Sequence, residues 1–349
     1  MYKGKIAGEK REKMRKRMTA ALLAVCMATG GCGSDPAAKE DIAFTVNGEE
    51  IGLREWNFYV RMNQMQWEKE GLDLYGDDMW SQTVAGEEGI TRAQQLKEEV
   101  MDTICQIHLT NQHAEEYGVI LEEEKQQEIW DRAASFMSAY HRALLDYAGA
   151  DEEFVRECLT ERELSVLTAN AAVEDYEPEI PEEEIRREGI CYVLISTTGL
   201  RDAEGNLTPF SEEEVEQRTC LAQEVCEKAR EKGDLKEAAE AEGLTPIESS
   251  MGKNNGTDGQ EPRMLDAARL LEVGEISEPV WTEEGWFVVQ HTNDYDEEET
   301  AWWREQWTAA AKEEEYERIY GEWKEAAEIV VNQEIMDQVD VKIVLKELL

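Results

Sequence analysis

The hydrophobic period of this chain changes twice along its length, and that restricts its fold more than any other feature. From Leu53 to about residue 175 the apolar residues recur at helical spacing. Leu96, Val100, Ile104 and Ile107 make one stripe; Ile129, Ala133, Phe136, Met137 and Tyr140 make another. Pro178 and Pro181, set among glutamates, end the pattern, because proline has no amide proton to give to a helix interior. The run Ile190–Ser196 (ICYVLIS) is then continuously apolar, as in a buried strand. Helical spacing returns over Glu299–Val331, where Trp303, Trp307, Tyr316, Tyr320 and Trp323 form an aromatic stripe suited to packing. A helical region, a stretch with strands, and a second helical region predict an α+β architecture.

Local signals place the elements. IAFTVNG at 42–48 reads as a strand entering a turn at Asn47-Gly48. Thr91-x-x-Gln94 matches a capping box, Gly118 suits a helix C-terminus, one helix is expected over 122–148, and Asp151 can cap the next. Further helices are expected at 211–232, 235–242 and 263–271, with a hairpin from Val280 to Gln290 turning at Glu283-Glu284-Gly285. Residues 42–180 thus read as a helical domain and 186–296 as an inserted α+β domain. Residues 297–349 read as a C-terminal helix returning to the first domain.

The N-terminus differs from the rest. Eight Lys and Arg residues precede a short apolar run, TAALLAVCMATGG, that ends at Cys32. A bilayer span needs about 20 apolar residues, whereas basic, apolar and small residues in this order form a secretory signal. Gly30-Gly31 before Cys32 resembles a bacterial lipobox. That resemblance implies removal of residues 1–31, acylation of Cys32, and a tether over 32–41. Two acyl chains suffice for stable anchoring.

The formal net charge is -43, which excludes an electrostatic grip on nucleic acid. The seven cysteines do not show disulfide-framework spacing and read mostly as buried thiols. No metal-ligand spacing, phosphate loop or nucleophile elbow is visible, so no cofactor is expected. His108 and His113 are five apart, a poor pair for one helix face. His291 reads as a surface residue.

The ensemble resembles the PrsA/SurA type of extracytoplasmic foldase. VNGEEIGLREWNFY is similar to that family's opening, and LKEEVMDTICQIHLTNQHAEEYGVILEEEK to its long helix and following turn. ICYVLIS and DAARLLEVGEISEPVWTEEGWFVVQ are similar to the first and last parts of a parvulin-type peptidyl-prolyl isomerase domain. The resemblance spans about residues 42–335. It implies a helical chaperone module, formed by the N-terminal helices and a returning C-terminal helix, around a parvulin-like insert. It also implies unfolded or newly exported polypeptides as partners, and homodimerisation is compatible with it.

In that family two histidines face each other across the sheet, beside a Cys or Asp and an apolar proline pocket. The resemblance puts Val193 at the first histidine (Tyr192 if the register moves by one), Phe287 at the second, and Arg269 at a pocket aromatic. All three depart from the pattern, so no catalytic residue is assigned and isomerase activity is expected to be weak or absent. The candidate pocket is Val193, Ile195, Met264, Leu265 and Phe287. Candidate client contacts are Trp56, Tyr59, Met62, Met65 and Trp67, although each taken singly reads first as ordinary core. The alternatives are an active isomerase and a non-enzymatic scaffold for one secreted partner.

Overall fold

Side-chain caps fix where several helices begin. This computed structural model describes residues 41–85, 89–201, 207–252, 259–342 and 344–345, so the signal, lipobox and tether expected over 1–40 lie outside the described residues. A hairpin, β1 (Ile42–Val46) and β2 (Glu49–Gly52), opens the chain. Its turn puts Asn47 and Gly48 at positive φ, the conformation that Asn-Gly tolerates best. The helices α1 (Leu53–Tyr75), α2 (Arg92–Gln112), α3 (Glu123–Ala139), α4 (Arg142–Ala148) and α5 (Glu152–Ala172) follow. Thr91 makes the full capping box with Gln94, and Asp151 accepts from the Phe154 amide.

Two helix limits differ from the sequence reading. The chain leaves α2 at His113, five residues before Gly118, which instead takes positive φ at the end of a run of turns. The single helix expected over 122–148 breaks at Tyr140, which is extended, and restarts where His141 Nδ1 accepts from the Ala143 amide. No glycine or proline marks that break, so it has no signature in the sequence.

The central stretch begins with the short helix α6 (Glu182–Ile185) and the strand β3 (Arg187–Ser196). A small hairpin, β4 (Gly199–Arg201) and β5 (Leu207–Pro209), leads to α7 (Glu212–Lys232) and α8 (Leu235–Ala241). Then come β6 (Ile247–Gly252), α9 (Pro262–Ala268), β7 (Val280–Trp281) and β8 (Gly285–Asn293). The sheet order is β6-β3-β8-β7, antiparallel throughout. Gly285 is required at the hairpin: its φ is +142°, and a Cβ there would stand 2.3 Å from the Ile195 carbonyl oxygen.

The chain closes with α10 (Glu297–Ala326), β9 (Ile329–Val331) and α11 (Gln333–Met336). β9, expected as helix, pairs with β1 to make the sheet β2-β1-β9. The described residues fall into two units, one of residues 177–311 and one of residues up to 176 with those from 312 on. The aromatic stripe of α10 is shared between them. Trp303 lies under the buried Arg187 guanidinium at 3.8 Å in the central unit. In the helical unit Tyr316 bonds Thr110, and Trp323 stacks on His113 with centroids 4.1 Å apart. The core of that unit joins Phe44, Trp56, Leu96, Ile104 and Met336. No helix of the described residues is long and apolar enough to cross a membrane.

Candidate functional site

The central sheet buries two different faces. Side chains alternate along a strand, so Cys191, Val193 and Ile195 stand on one side of β3, and Ile190, Tyr192 and Leu194 on the other. Val193, Ile195 and Val288 pack against α7 and α8 through Ala222, Val225, Ala229 and Leu235. Ile190, Phe287 and Val289 pack against Met251 of β6 and Met264, Leu265 and Ala268 of α9, with Tyr192 and Leu194 at their edge. The pocket expected from the sequence is therefore split. Met264, Leu265 and Phe287 share a face, whereas Val193 and Ile195 point to the opposite one. The cross-strand register explains why: Leu194 stands opposite Phe287, and Val193 opposite Val288. The residue that shares the face with Phe287 is Tyr192, the one-residue alternative, with ring centroids 6.0 Å apart.

This face is carbon-rich. Burial pushes the Tyr192 phenol above its ordinary pKa. Arg269 leaves the face: its Nε donates to the Gly252 carbonyl and its Nη1 to Asp266. Cys191 is buried on the α8 side, where burial and Glu248 raise its thiol to about 11. It offers no thiolate and faces away from Phe287.

His291 corrects the sequence reading. It is 5% exposed, with Nδ1 2.9 Å from the Leu271 carbonyl oxygen and Nε2 3.1 Å from that of Asn293. The ring sits opposite Ile190, at the far end of β8 from Gly285, and its nitrogens are engaged by backbone. The chain beyond Leu271 that covers the strand end leaves no periodic signal, so the sequence gives no hint of this burial.

In the helical unit, Trp56 and Tyr59 are core residues, 0% and 6% exposed, and Trp56 donates to the Met336 carbonyl. They are removed from any contact surface. Met62 and Trp67 pack partly buried against that core, Trp67 stacking on Trp80, and Met65 is half-exposed. A cavity of about 340 Å³ opens on the same unit, lined by Met137, Tyr140, Arg142, Leu145, Asp151 and Glu152.

The helical unit also holds a polar cluster with no sequence signature. His108 of α2 lies between Glu49 of β2 and Glu55 of α1, at 2.9 and 3.0 Å, with Glu161 of α5 at 3.9 Å. Burial lowers the imidazole pKa, but the hydrogen bonds to Glu49 and Glu55 outweigh it and hold the ring protonated well above the usual range. Burial and the neighbouring Glu55 raise the Glu161 carboxyl. The four residues come from four elements spread over 113 positions of chain, so no spacing could reveal them.

No protein-family profile and no curated protein matches this sequence. Among solved structures, the chain is similar to PrsA/SurA-type foldases. A SurA-like chaperone from Campylobacter jejuni shares 9% identity over 83% of this chain and 98% of its own, with a TM-score of 0.29. The peptidylprolyl isomerase PrsA of Bacillus cereus shares 14% over 77% of this chain and 99% of its own, with a TM-score of 0.25. PrsA of Bacillus anthracis shares 15% over 70% and 97%, with a TM-score of 0.23.

Proposed function

We propose that this protein is an extracytoplasmic folding factor of the peptidyl-prolyl isomerase family that binds unfolded exported polypeptides and has weak or absent isomerase activity, held at the membrane by lipid on Cys32. The observation that carries this reading is the face formed by Tyr192, Leu194, Phe287 and Val289 under α9. Prolyl isomerisation breaks no covalent bond; it requires a site that binds the amide best when twisted, against a barrier of about 18–20 kcal/mol. Aliphatic and aromatic carbon can hold a proline ring, but gives no polar group tuned to the twisted amide. Phe287 and Val289, 5% and 0% exposed, are packed under α9, so the layer argues against turnover, and contact with a client on this side falls to the partly exposed Tyr192 and Leu194.

Client contact in the helical unit falls to the half-exposed residues rather than to Trp56 and Tyr59. Met65, Trp67 and the cavity lined by Met137, Tyr140 and Leu145 offer soft apolar surface beside charge, the combination that lets a binder accept many sequences. The test is the aggregation of a chemically unfolded client diluted into buffer with the full chain. Suppression at near-stoichiometric ratios, across several unrelated clients, is expected. Unchanged aggregation of every client, together with capture of a single tight secreted partner, overturns the reading in favour of a dedicated scaffold.

A further inference from the structure

The His108 cluster has the donors of a metal centre. The donor atoms of Glu55, His108 and Glu161 all lie within 4.8 Å of one another. We propose that these three side chains bind one divalent transition-metal ion, zinc or manganese, in the helical unit. The spacing fits. Donors on a tetrahedral ion with bonds of about 2.0–2.1 Å stand roughly 3.3 Å apart, and Nε2 of His108 is 3.0 Å from Glu55 Oε1 and 3.9 Å from Glu161 Oε2. Glu161, the more distant carboxylate, closes by roughly 0.6 Å toward His108 to seat the ion.

The surroundings also fit. A ligating imidazole commonly gives its other N–H to a carboxylate, which fixes the ring and its tautomer. Nδ1 of His108 is 2.9 Å from Glu49 Oε1, and Gln112 Nε2 holds the second oxygen of that carboxylate at 2.8 Å. With Nδ1 donating to Glu49, the ion would take the place of the Nε2 proton that faces Glu55. The donor set of one imidazole and two carboxylates suits zinc or manganese and lacks the thiolates that favour copper(I) or iron–sulfur clusters.

A separate observation points to a ligand. Tyr59 lies one helical turn after Glu55 on α1, on the same face. It is 6% exposed, its hydroxyl has no hydrogen-bond partner among the described residues, and that hydroxyl feels the charges of Glu55 and Glu161. Asn111, one turn after His108, donates to the Glu161 carbonyl while its own buried Oδ1 is likewise without a partner among the described residues. Buried polar atoms are ordinarily satisfied, and water on a bound ion would give the Tyr59 hydroxyl, which feels the Glu55 and Glu161 charges, a partner. The Glu55 and Glu161 side chains keep 15% and 23% exposure, which leaves a way in for the ion, whereas the His108 side chain keeps 4%.

The experiment is a titration of the chelator-stripped full chain with Zn²⁺, Mn²⁺ and, separately, Ca²⁺, followed by calorimetry and by thermal unfolding. One saturable equivalent of Zn²⁺ or Mn²⁺ that survives excess Ca²⁺ and raises Tm is expected. Glu161→Gln should weaken that binding at least tenfold and His108→Asn should abolish it, each checked for native circular dichroism. Glu116→Gln, on the exposed partner of His113, should leave it unchanged. Absence of saturable binding, a site that takes Ca²⁺ alone, or binding untouched by Glu161→Gln in a folded chain would overturn the proposal. Should His108→Asn fail to fold, the Glu161→Gln comparison still decides it.

Discussion

The sheet face around Phe287 and the cluster around His108 are both largely closed to water, yet one has shed polar groups and the other has gathered them. The difference lies in what each ring would meet. His108 finds a carboxylate oxygen at each nitrogen, and His291 finds a backbone carbonyl at each, with Glu188 Oε2 3.6 Å from its Nε2. A ring at Phe287 would meet Leu194 and Val280 in register, Ile190, Met264 and Leu265 within the layer, and the Tyr192 ring 6.0 Å away. An unpaired buried polar group costs about 1–3 kcal/mol, so that layer favours carbon. Phe287 and its neighbours are thus apolar as a set.

The contrast can be broken most forcefully from the apolar side. Phe287→Ala should destabilise the protein by about 3–5 kcal/mol, the usual cost of emptying a buried aromatic site, as read by urea unfolding of the central unit's tryptophans. A loss well short of that range would mean that the face is loosely packed. Next in size is His108→Leu, which strands carboxylates that the imidazole now partners; because Glu49 is partly exposed, the loss is about 2–4 kcal/mol. If His108→Leu left urea stability unchanged, the cluster would not be an electrostatic unit. The smallest effect belongs to Glu161→Gln in metal-free protein. It removes like charge beside Glu55 while keeping shape, so stability should change by less than about 1 kcal/mol, and a larger loss would show that Glu161 is a structural partner of His108.

Much of the fold is written locally. The capping boxes at Thr91 and Ser211, the Asn47-Gly48 turn and the apolar run of β3 each carry their own chemistry, and the structure follows them. β6 escapes a reading of the sequence because IESSMG has weak strand propensity; it is held by pairing with β3 along six residues. β9 reads as helix because Ile329-Val330-Val331 follows a long helical stripe, and only pairing with β1 makes it a strand. The site is half legible. Alternation on β3 puts Tyr192, and not Val193, on the face of Phe287, and a one-residue slip turns every side chain to the other face. The His108 cluster depends on tertiary placement of four separate elements, which periodicity does not encode.

The most direct measurement is the cis/trans exchange rate of a short proline peptide with and without the full chain, at protein concentrations high enough to load the central face. The present account predicts exchange at or only slightly above the spontaneous rate. Acceleration typical of an efficient isomerase, lost in Phe287→Ala but retained in a surface variant such as Glu116→Gln, would contradict it.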